Sequence, residues 1–537
     1  MKKVILIGID GATPELIEEW IDKGFLQNFK KIMENGSYGH LKSTIPPFSA
    51  PAWTSIVTGC NPGQHGIYGF ESTGTLESHL ISSRYRKAKA IWNYLSKIRK
   101  KCIIVNVPGT YPPEQINGVM ITGLLTPSKD TNFTYPVDIK KRLNKNDLGK
   151  YELEQLWLED FSRSQMKKHS PKKLIDQINE QMESRLNVTL NLMKEIDWSF
   201  TMIVFRGTDS AQHFFFDDKK LLLSCYQKVD SFIGEIIEKY QDALVFIVSD
   251  HGFEEIKKIF YPDNLLYNNN LLTPIYDPIG SSISKFYALL NKIFFKILKI
   301  LPKESIKKNK LIRNILFAGA SKSKLIDFKT TKAFSNADGR GIQISLKNKY
   351  EDGIVEEKEY EKICNEISKL LREIKDPVDN SQIVKNVYRW NEIYGDNAIN
   401  PPDLIFELNK GVTASEWIRT PSKKMGNKRR NIPCIYKDDP ANRTGDHSQY
   451  GIFFAYGENI KSKHRIDTIS VQDILPTIFT TMGISSPKDI DGQTKHEIFK
   501  YKPSTEEINW EKHVEKKSLL TKLEIDKIQQ LRKSLKK

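Results

Sequence analysis

Apolar runs of about six residues recur along this chain and alternate with stretches of helical spacing. VILIGI, Val4–Ile9, is apolar throughout and stops at Asp10-Gly11, which predicts a first strand buried on both faces. Pro14 to Asn35 predicts one helix closed by a glycine turn. KAIWNYLSKI reads as a helix and KCIIVNVPG as a second buried strand. The rhythm resumes with DWSFTMIVFRGTD as a strand, Lys219 to Tyr240 as a helix, and DALVFIVSDHGF as a strand running into a loop. GIFFAYG and VQDILPTIFTTMG add a late strand and helix. Such alternation predicts an α/β fold, a large and mostly parallel sheet with helices on both faces.

Two segments break the rhythm and are expected as insertions forming a cap. Residues 130–195 are polar and helix-prone, without a clear strand; residues 262–325 are rich in lysine and apolar residues. Within the second, Phe286, Leu289, Leu290, Ile293, Phe294, Ile297, Leu298 and Leu301 follow helical spacing, with Lys285, Lys292, Lys296 and Lys299 on other faces. An amphipathic helix of this kind packs on the domain core, covers an active-site mouth, or lies on an anionic membrane. Residues 1–500 are expected to form one catalytic domain, and 501–537 a charged helical tail.

Composition narrows the classes. Of 537 residues, 39% are hydrophobic and 28% charged, a globular balance that excludes wholesale disorder. No run approaches the ~18 apolar residues of a membrane-spanning helix. The apolar run after Lys2 and Lys3 is shorter than the ~7–15 residues of a secretory core, so no export signal is expected. The five cysteines are dispersed without a CxxC pair, which disfavours a disulfide framework or a cysteine zinc site. A reducing, cytoplasmic location follows as an expectation. The formal charge of +16 suits polyanions, an anionic membrane, or a solvated lysine-rich surface. No recognition motif accompanies it, so no nucleic-acid partner is expected.

In open α/β sheets, functional groups gather after the carboxyl ends of strands. Asp10 stands there, as a turn former or a ligand. Ser49 lies near the start of a helix expected from about Pro51, as an activated hydroxyl or an N-cap. Asp209 and His213 are four residues apart and can share a helix face. Asp250 and His251 follow a strongly apolar strand, and joint ligation there needs a turn, which Gly252 permits. His447 precedes another strand. His65, in a QHGI turn, reads as a structural histidine. Three aspartates, three histidines and one hydroxyl suffice for two adjacent divalent metals with a nucleophile between them.

The order and spacing of IGIDG, PAWTSIVTGCNPGQHGI, the Asp209/His213 pair, SDHGF and GDHSQYGIFFAYG resemble the alkaline phosphatase superfamily. The likeness is to its type I phosphodiesterase/nucleotide pyrophosphatase branch and the microbial phosphohydrolase/phosphomutase relatives, over about residues 1–500. The resemblance implies that Asp10, Asp250 and His251 hold one metal and Asp209, His213 and His447 the other. It implies Ser49 as nucleophile, bound as an alkoxide, attacking phosphorus in line to form a phosphoryl-serine that water then hydrolyses. Zinc suits the mixed Asp/His set best and manganese second. Thr54, Ser55 and Thr58 are rival hydroxyls expected inside the following helix in packing roles.

One position departs from the branch. Its nucleotide pyrophosphatases carry an asparagine three residues after the nucleophile, where this chain has Ala52. Arg206, Arg340 and Arg443 are candidates for the missing phosphoryl contact. The Ala50-Pro51-Ala52 run lacks the sulfatase pattern. The expected reaction is phosphodiester or pyrophosphate cleavage of a phosphate-ester substrate. A phosphomonoesterase or phosphomutase on the same site is one alternative. A membrane-surface binding protein using the basic segment is another.

Overall fold

The computed structural model describes residues 2–73, 79–153, 170–274, 326–336, 339–350, 352–415, 418, 432–437, 439 and 442–510. Nine strands form the main sheet: β1 Val4–Ile9, β2 Ser37–Lys42, β3 Cys102–Val107, β4 Gly118–Thr122, β5 Thr134–Tyr135, β6 Phe200–Phe205, β7 Leu244–Val248, β17 Tyr450–Tyr456 and β18 His464–Ser470. Their order is β18-β2-β17-β7-β1-β6-β3-β4-β5. Five of the eight neighbouring pairs are parallel. The late GIFFAYG strand, β17, instead runs antiparallel to both β7 and β2, and β5 antiparallel to β4.

Alternate residues of the central strands enter two separate cores. Ile5, Ile7 and Ile9 of β1 face one, with Ile203, Phe205, Val245 and Ile247; Val4 and Leu6 face the other, with Met202, Val204, Phe246 and Val248. Burial on both faces is why these strands read as continuous apolar runs. Helices Pro14–Asp22, Gln27–Asn35, Pro171–Glu195, Gly207–Phe215 and Lys219–Lys239 cover the first face. Helices Ser49–Thr58, Ile91–Lys97 and Ile474–Thr481 cover the second.

Two expectations are corrected here. Pro14–Asn35 is two helices, because Gly24 takes a left-handed φ of 76° after Asp22 and ends the first. The segment 130–195 does carry a strand, the short β5 at the sheet edge. Its residues 171–195 form a helix started by Pro171 and capped by Ser170, which accepts from the Lys173 amide. Leu174, Ile175, Ile178, Met182, Leu186 and Met193 make a buried stripe on that helix. Each such side chain contributes about 1.5–3 kcal/mol relative to exposure, so the helix belongs to the sheet's core.

A second, four-stranded sheet has the order β10-β11-β13-β12, with β10 Ala333–Ser335, β11 Gly341–Ile344, β12 Val384–Arg389 and β13 Leu404–Leu408. Its apolar side packs with helix Glu357–Glu373 in a core of its own. Strand β9 Lys258–Phe260 pairs with β14 Val412–Ala414 and β15 Ile435–Tyr436. A two-stranded ribbon joins β8 Gly252–Glu255 to β16 Gly445–Ser448, placing His447 opposite Phe253. The basic amphipathic stretch 285–301 and most of the expected tail, 511–537, lie outside the described residues. Among the described residues, no helix is long and apolar enough to cross a membrane.

Candidate metal centre

The carboxyl ends of β1, β6 and β7 lie side by side, and each delivers a buried acid. Asp10 follows β1 directly, and its amide donates to Phe205 O at 2.9 Å, so the residue after β6, Arg206, is its neighbour. Asp209 sits in the first turn of helix Gly207–Phe215, and His213 one turn later. Asp250 and His251 follow β7, where Asp250 Oδ1 accepts from the Gly11 amide at 3.0 Å. Gly11 has φ 69°, and a Cβ there would meet the Phe253 ring at 2.5 Å, so glycine is required at this crossing.

The third histidine arrives from far along the chain. The β8–β16 ribbon carries His447 back onto His251, where the rings stack at 3.7 Å between centroids. Two groups of side chains that could hold an ion result: Asp209, His213 and His447, and Asp10, Asp209 and His251, each with ligand atoms within 4.8 Å of one another. Asp250 adjoins the second, its Oδ2 3.1 Å from His251 Nε2.

The hydrogen bonds of the imidazoles fix which ring nitrogen faces the centre. His213, His251 and His447 each donate Nδ1–H to a backbone carbonyl, of Gly445, Gly252 and Pro47, at 3.1–3.2 Å. Each therefore turns Nε2 inward, the arrangement of metal-ligating histidines. His213 Nε2 and His447 Nε2 face each other at 3.2 Å, and both lie within 3.5 Å of Asp209 Oδ1. Among the described residues, Asp209 Oδ1 and Asp250 Oδ2 are buried carboxylate oxygens with no hydrogen bond. Facing lone pairs and orphaned carboxylate oxygens call for cations, so the residues present fit divalent metals.

The electrostatics agree. Burial pushes Asp10 well above the usual carboxylate range, and Asp250 beside it adds to the shift. Burial also pushes on Asp209, but His213, Arg206 and His447 outweigh it and hold that carboxyl far below its ordinary value. Burial resists charge on His251, yet Asp250, Asp10 and Asp209 draw its imidazolium up to about 9. His447 is pushed down to about 4 by burial and by His251.

Ser49 is the first residue of helix Ser49–Thr58, two residues earlier than expected from Pro51. Its Oγ lies 3.1 Å from His251 Nε2 and 3.4 Å from Asp10 Oδ1. The free amides of Ser49 and Ala50 open that helix, where an anion is favoured. The rival hydroxyls are occupied. Thr54 donates to Ala50 O, Thr58 to Thr54 O, and Ser55 pairs with His65. Ala52 is fully buried.

Of the three arginines, only Arg206 touches the acids, donating from Nε to Asp10 Oδ2 at 3.1 Å and from Nη2 to Asp209 Oδ2 at 2.7 Å. Arg340 is held by Asp446, beside His447, and lies over the Phe48 ring. Arg443 pairs with Asp439 and stands 3.9 Å from Asp446. Sequence reasoning missed Trp53, whose indole Nε1 donates to Asp10 Oδ2 at 2.9 Å. Its signal was position: Trp53 is one helical turn after Ser49 and so shares its face. Gly8 of β1 admits the ring, since a Cβ there would stand 2.4 Å from it.

Comparison with known proteins points the same way. The family model of type I phosphodiesterase / nucleotide pyrophosphatase matches residues 4–429. No curated protein matches the sequence. Among solved structures, human ectonucleotide pyrophosphatase / phosphodiesterase 5 is similar at 12% identity and a TM-score of 0.50, covering 93% of this chain and 100% of that one. The murine protein is similar at 12% identity and 0.47, covering 91% and 98%. The human likeness shows a shared fold. With the family model spanning most of its length, the chain belongs to the type I phosphodiesterase / nucleotide pyrophosphatase family and is a hydrolase of that kind.

Proposed function

We propose that this chain is a metal-dependent hydrolase of phosphodiester or pyrophosphate bonds, with Ser49 as nucleophile. The carrying observation is the placement of Ser49 Oγ at a helix start, 3.1 Å from His251 Nε2 and against the Asp10 carboxylate. In this reading Asp209, His213 and His447 hold one divalent ion, and Asp10, Asp250 and His251 the other. Zinc suits this donor set best and manganese second. Two such cations lower the pKa of a nearby hydroxyl and neutralise charge on a phosphoryl group.

The chain's own groups do the rest. Asp10 Oδ1 and His251 Nε2 flank the Ser49 hydroxyl, so its proton has an acceptor within reach. Ser49 Oγ then bonds to phosphorus as the bond to the leaving oxygen breaks, and water hydrolyses the phosphoryl-serine. The opening amides of helix Ser49–Thr58 favour the anionic phosphoryl group. With Ala52 in place of an amide side chain, Arg340, which lies over the ring of Phe48 next to Ser49, is in this reading the cation on the nucleophile's flank. The test is hydrolysis of bis-p-nitrophenyl and p-nitrophenyl phosphate by the zinc- or manganese-supplemented protein, with Ser49→Ala as control. Diester turnover lost in the variant supports the proposal. Faster monoester turnover redirects it to a phosphatase or mutase, and turnover indifferent to Ser49 refutes the assignment.

A further inference from the structure

We propose that Arg206 is the positioning residue shared by both ligand groups, one guanidinium that aims a carboxylate into each. The inference rests on the metal-centre reading above. Arg206 is buried, and among the described residues it bonds two acids that arise from different strands, Asp10 after β1 and Asp209 after β6. Both bonds take the Oδ2 oxygen. Asp10 Oδ2 is then fully engaged, with Trp53 Nε1 as its other donor. What remains in each case is Oδ1, turned inward: that of Asp10 lies 3.4 Å from Ser49 Oγ and 3.9 Å from His251 Nε2. That of Asp209 lies 3.4 and 3.5 Å from the Nε2 atoms of His447 and His213. The fork therefore leaves each acid one oxygen for an ion.

A planar fork does this with fixed geometry. A guanidinium presents donors in fixed directions and can bond two carboxylates at once, whereas an ammonium is a point charge on a flexible stem. Because the same group holds one acid of each group, a shift of either carboxylate moves the anchor of the other. Arg206 also supplies a permanent cation among the buried acids Asp10, Asp209 and Asp250, so the centre can assemble before any ion arrives. With Nε and Nη2 directed to the acids, Arg206 acts toward the ligands and not as the phosphoryl contact considered from the sequence.

The test titrates the wild type, Arg206→Gln, Arg206→Lys and Trp53→Phe with Zn²⁺ and Co²⁺. Bound ions are counted by mass spectrometry, affinities are taken by chelator competition, and the visible absorption of the cobalt form reports ligand geometry. Melting in chelator verifies folding. Two ions are expected on the wild type. Trp53→Phe, which touches Asp10 alone, should weaken one site. Arg206→Gln should weaken both by about 10–100-fold and alter the cobalt spectrum of both, as loss of an outer hydrogen-bond partner does. Arg206→Lys should recover one. Wild-type or tighter binding of both ions by folded Arg206→Gln overturns the inference. Should that variant not fold, the same result with Arg206→Lys overturns it. A wild type that binds no ion overturns the metal-centre reading itself, a distinct failure.

Discussion

Helix Ser49–Thr58 carries two serine–histidine pairs that are nearly identical by distance. Ser49 Oγ lies 3.1 Å from His251 Nε2, and Ser55 Oγ lies 3.0 Å from His65 Nε2. All four residues are buried. The difference lies in what holds the other side of each ring. The Nδ1 of His251 donates to the Gly252 carbonyl, so its Nε2 is the nitrogen turned toward Ser49 and the acids. The Nδ1 of His65 accepts from the Ile67 amide, so its Nε2 carries the proton and donates toward Ser55. Charge completes the contrast. Acids draw His251 up to about 9, while burial and Arg86 push His65 down to about 3. A serine near a histidine is thus no active site by itself; the backbone partner and the neighbouring charges decide.

The contrast can be broken most directly at the serines. Ser49→Ala should lower turnover of bis-p-nitrophenyl phosphate by at least ~10³-fold, the scale seen when a nucleophile is removed. Ser55→Ala should leave turnover within a few-fold but lower stability by about 1 kcal/mol, because His65 Nε2–H loses the Ser55 oxygen and keeps its backbone contact at Pro51. Equal loss of turnover in a folded Ser55→Ala protein would erase the distinction.

Next in size is metal removal. Dialysis against chelator should abolish turnover, restored by zinc or manganese. Ions at about 100 times their dissociation constant stabilise the fold by ~2.7 kcal/mol each, so the melting point should also fall on chelation. His447→Ala should bind one ion fewer by mass spectrometry, whereas His65→Asn should bind the full number. Unchanged melting and turnover after chelation would remove the reason for calling one pair a metal centre.

The smallest effect sharpens the other pair. His65 is buried neutral, with a folded-state pKa of about 3 against an ordinary value of 6.5. As pH falls below that ordinary value, the unfolded chain takes a proton that the folded protein refuses. Stability from this group is therefore complete above pH 6.5 and is lost down to about pH 3, by up to ~1.4 kcal/mol per unit. His65→Asn should be less stable than wild type at pH 7, and the gap should narrow by ~1 kcal/mol at pH 5.5 in urea melts. A gap independent of pH would mean that His65 does not carry the acid sensitivity assigned to it.

Much of the centre was legible because its residues sit where a strand stops. Asp10, Asp250 and His251 follow apolar runs whose ends are plain in the sequence, and Asp209 and His213 share a helix face at four-residue spacing. Other features could not be read locally. His447 reaches the site only through the β8–β16 ribbon, a pairing between segments nearly two hundred residues apart. Asp209 stands in both ligand groups, although the resemblance assigned it to one. The two-helix break at Gly24 and the buried stripe of 171–195 were hidden by polar composition, since one apolar side in a helix leaves most positions polar.

Local chemistry along the chain determined the strand and helix rhythm, the residue types able to bind a divalent ion, and the order of motifs that carries the family likeness. These follow from side-chain periodicity and short-range spacing, which survive without any knowledge of packing. The tertiary structure alone decided which nitrogen of each imidazole faces inward, which oxygen of each carboxylate remains available, and that Arg206 and Trp53 hold those carboxylates in place. Those choices depend on hydrogen bonds between strands and loops distant in sequence, and such bonds exist only once the sheet has brought their ends together.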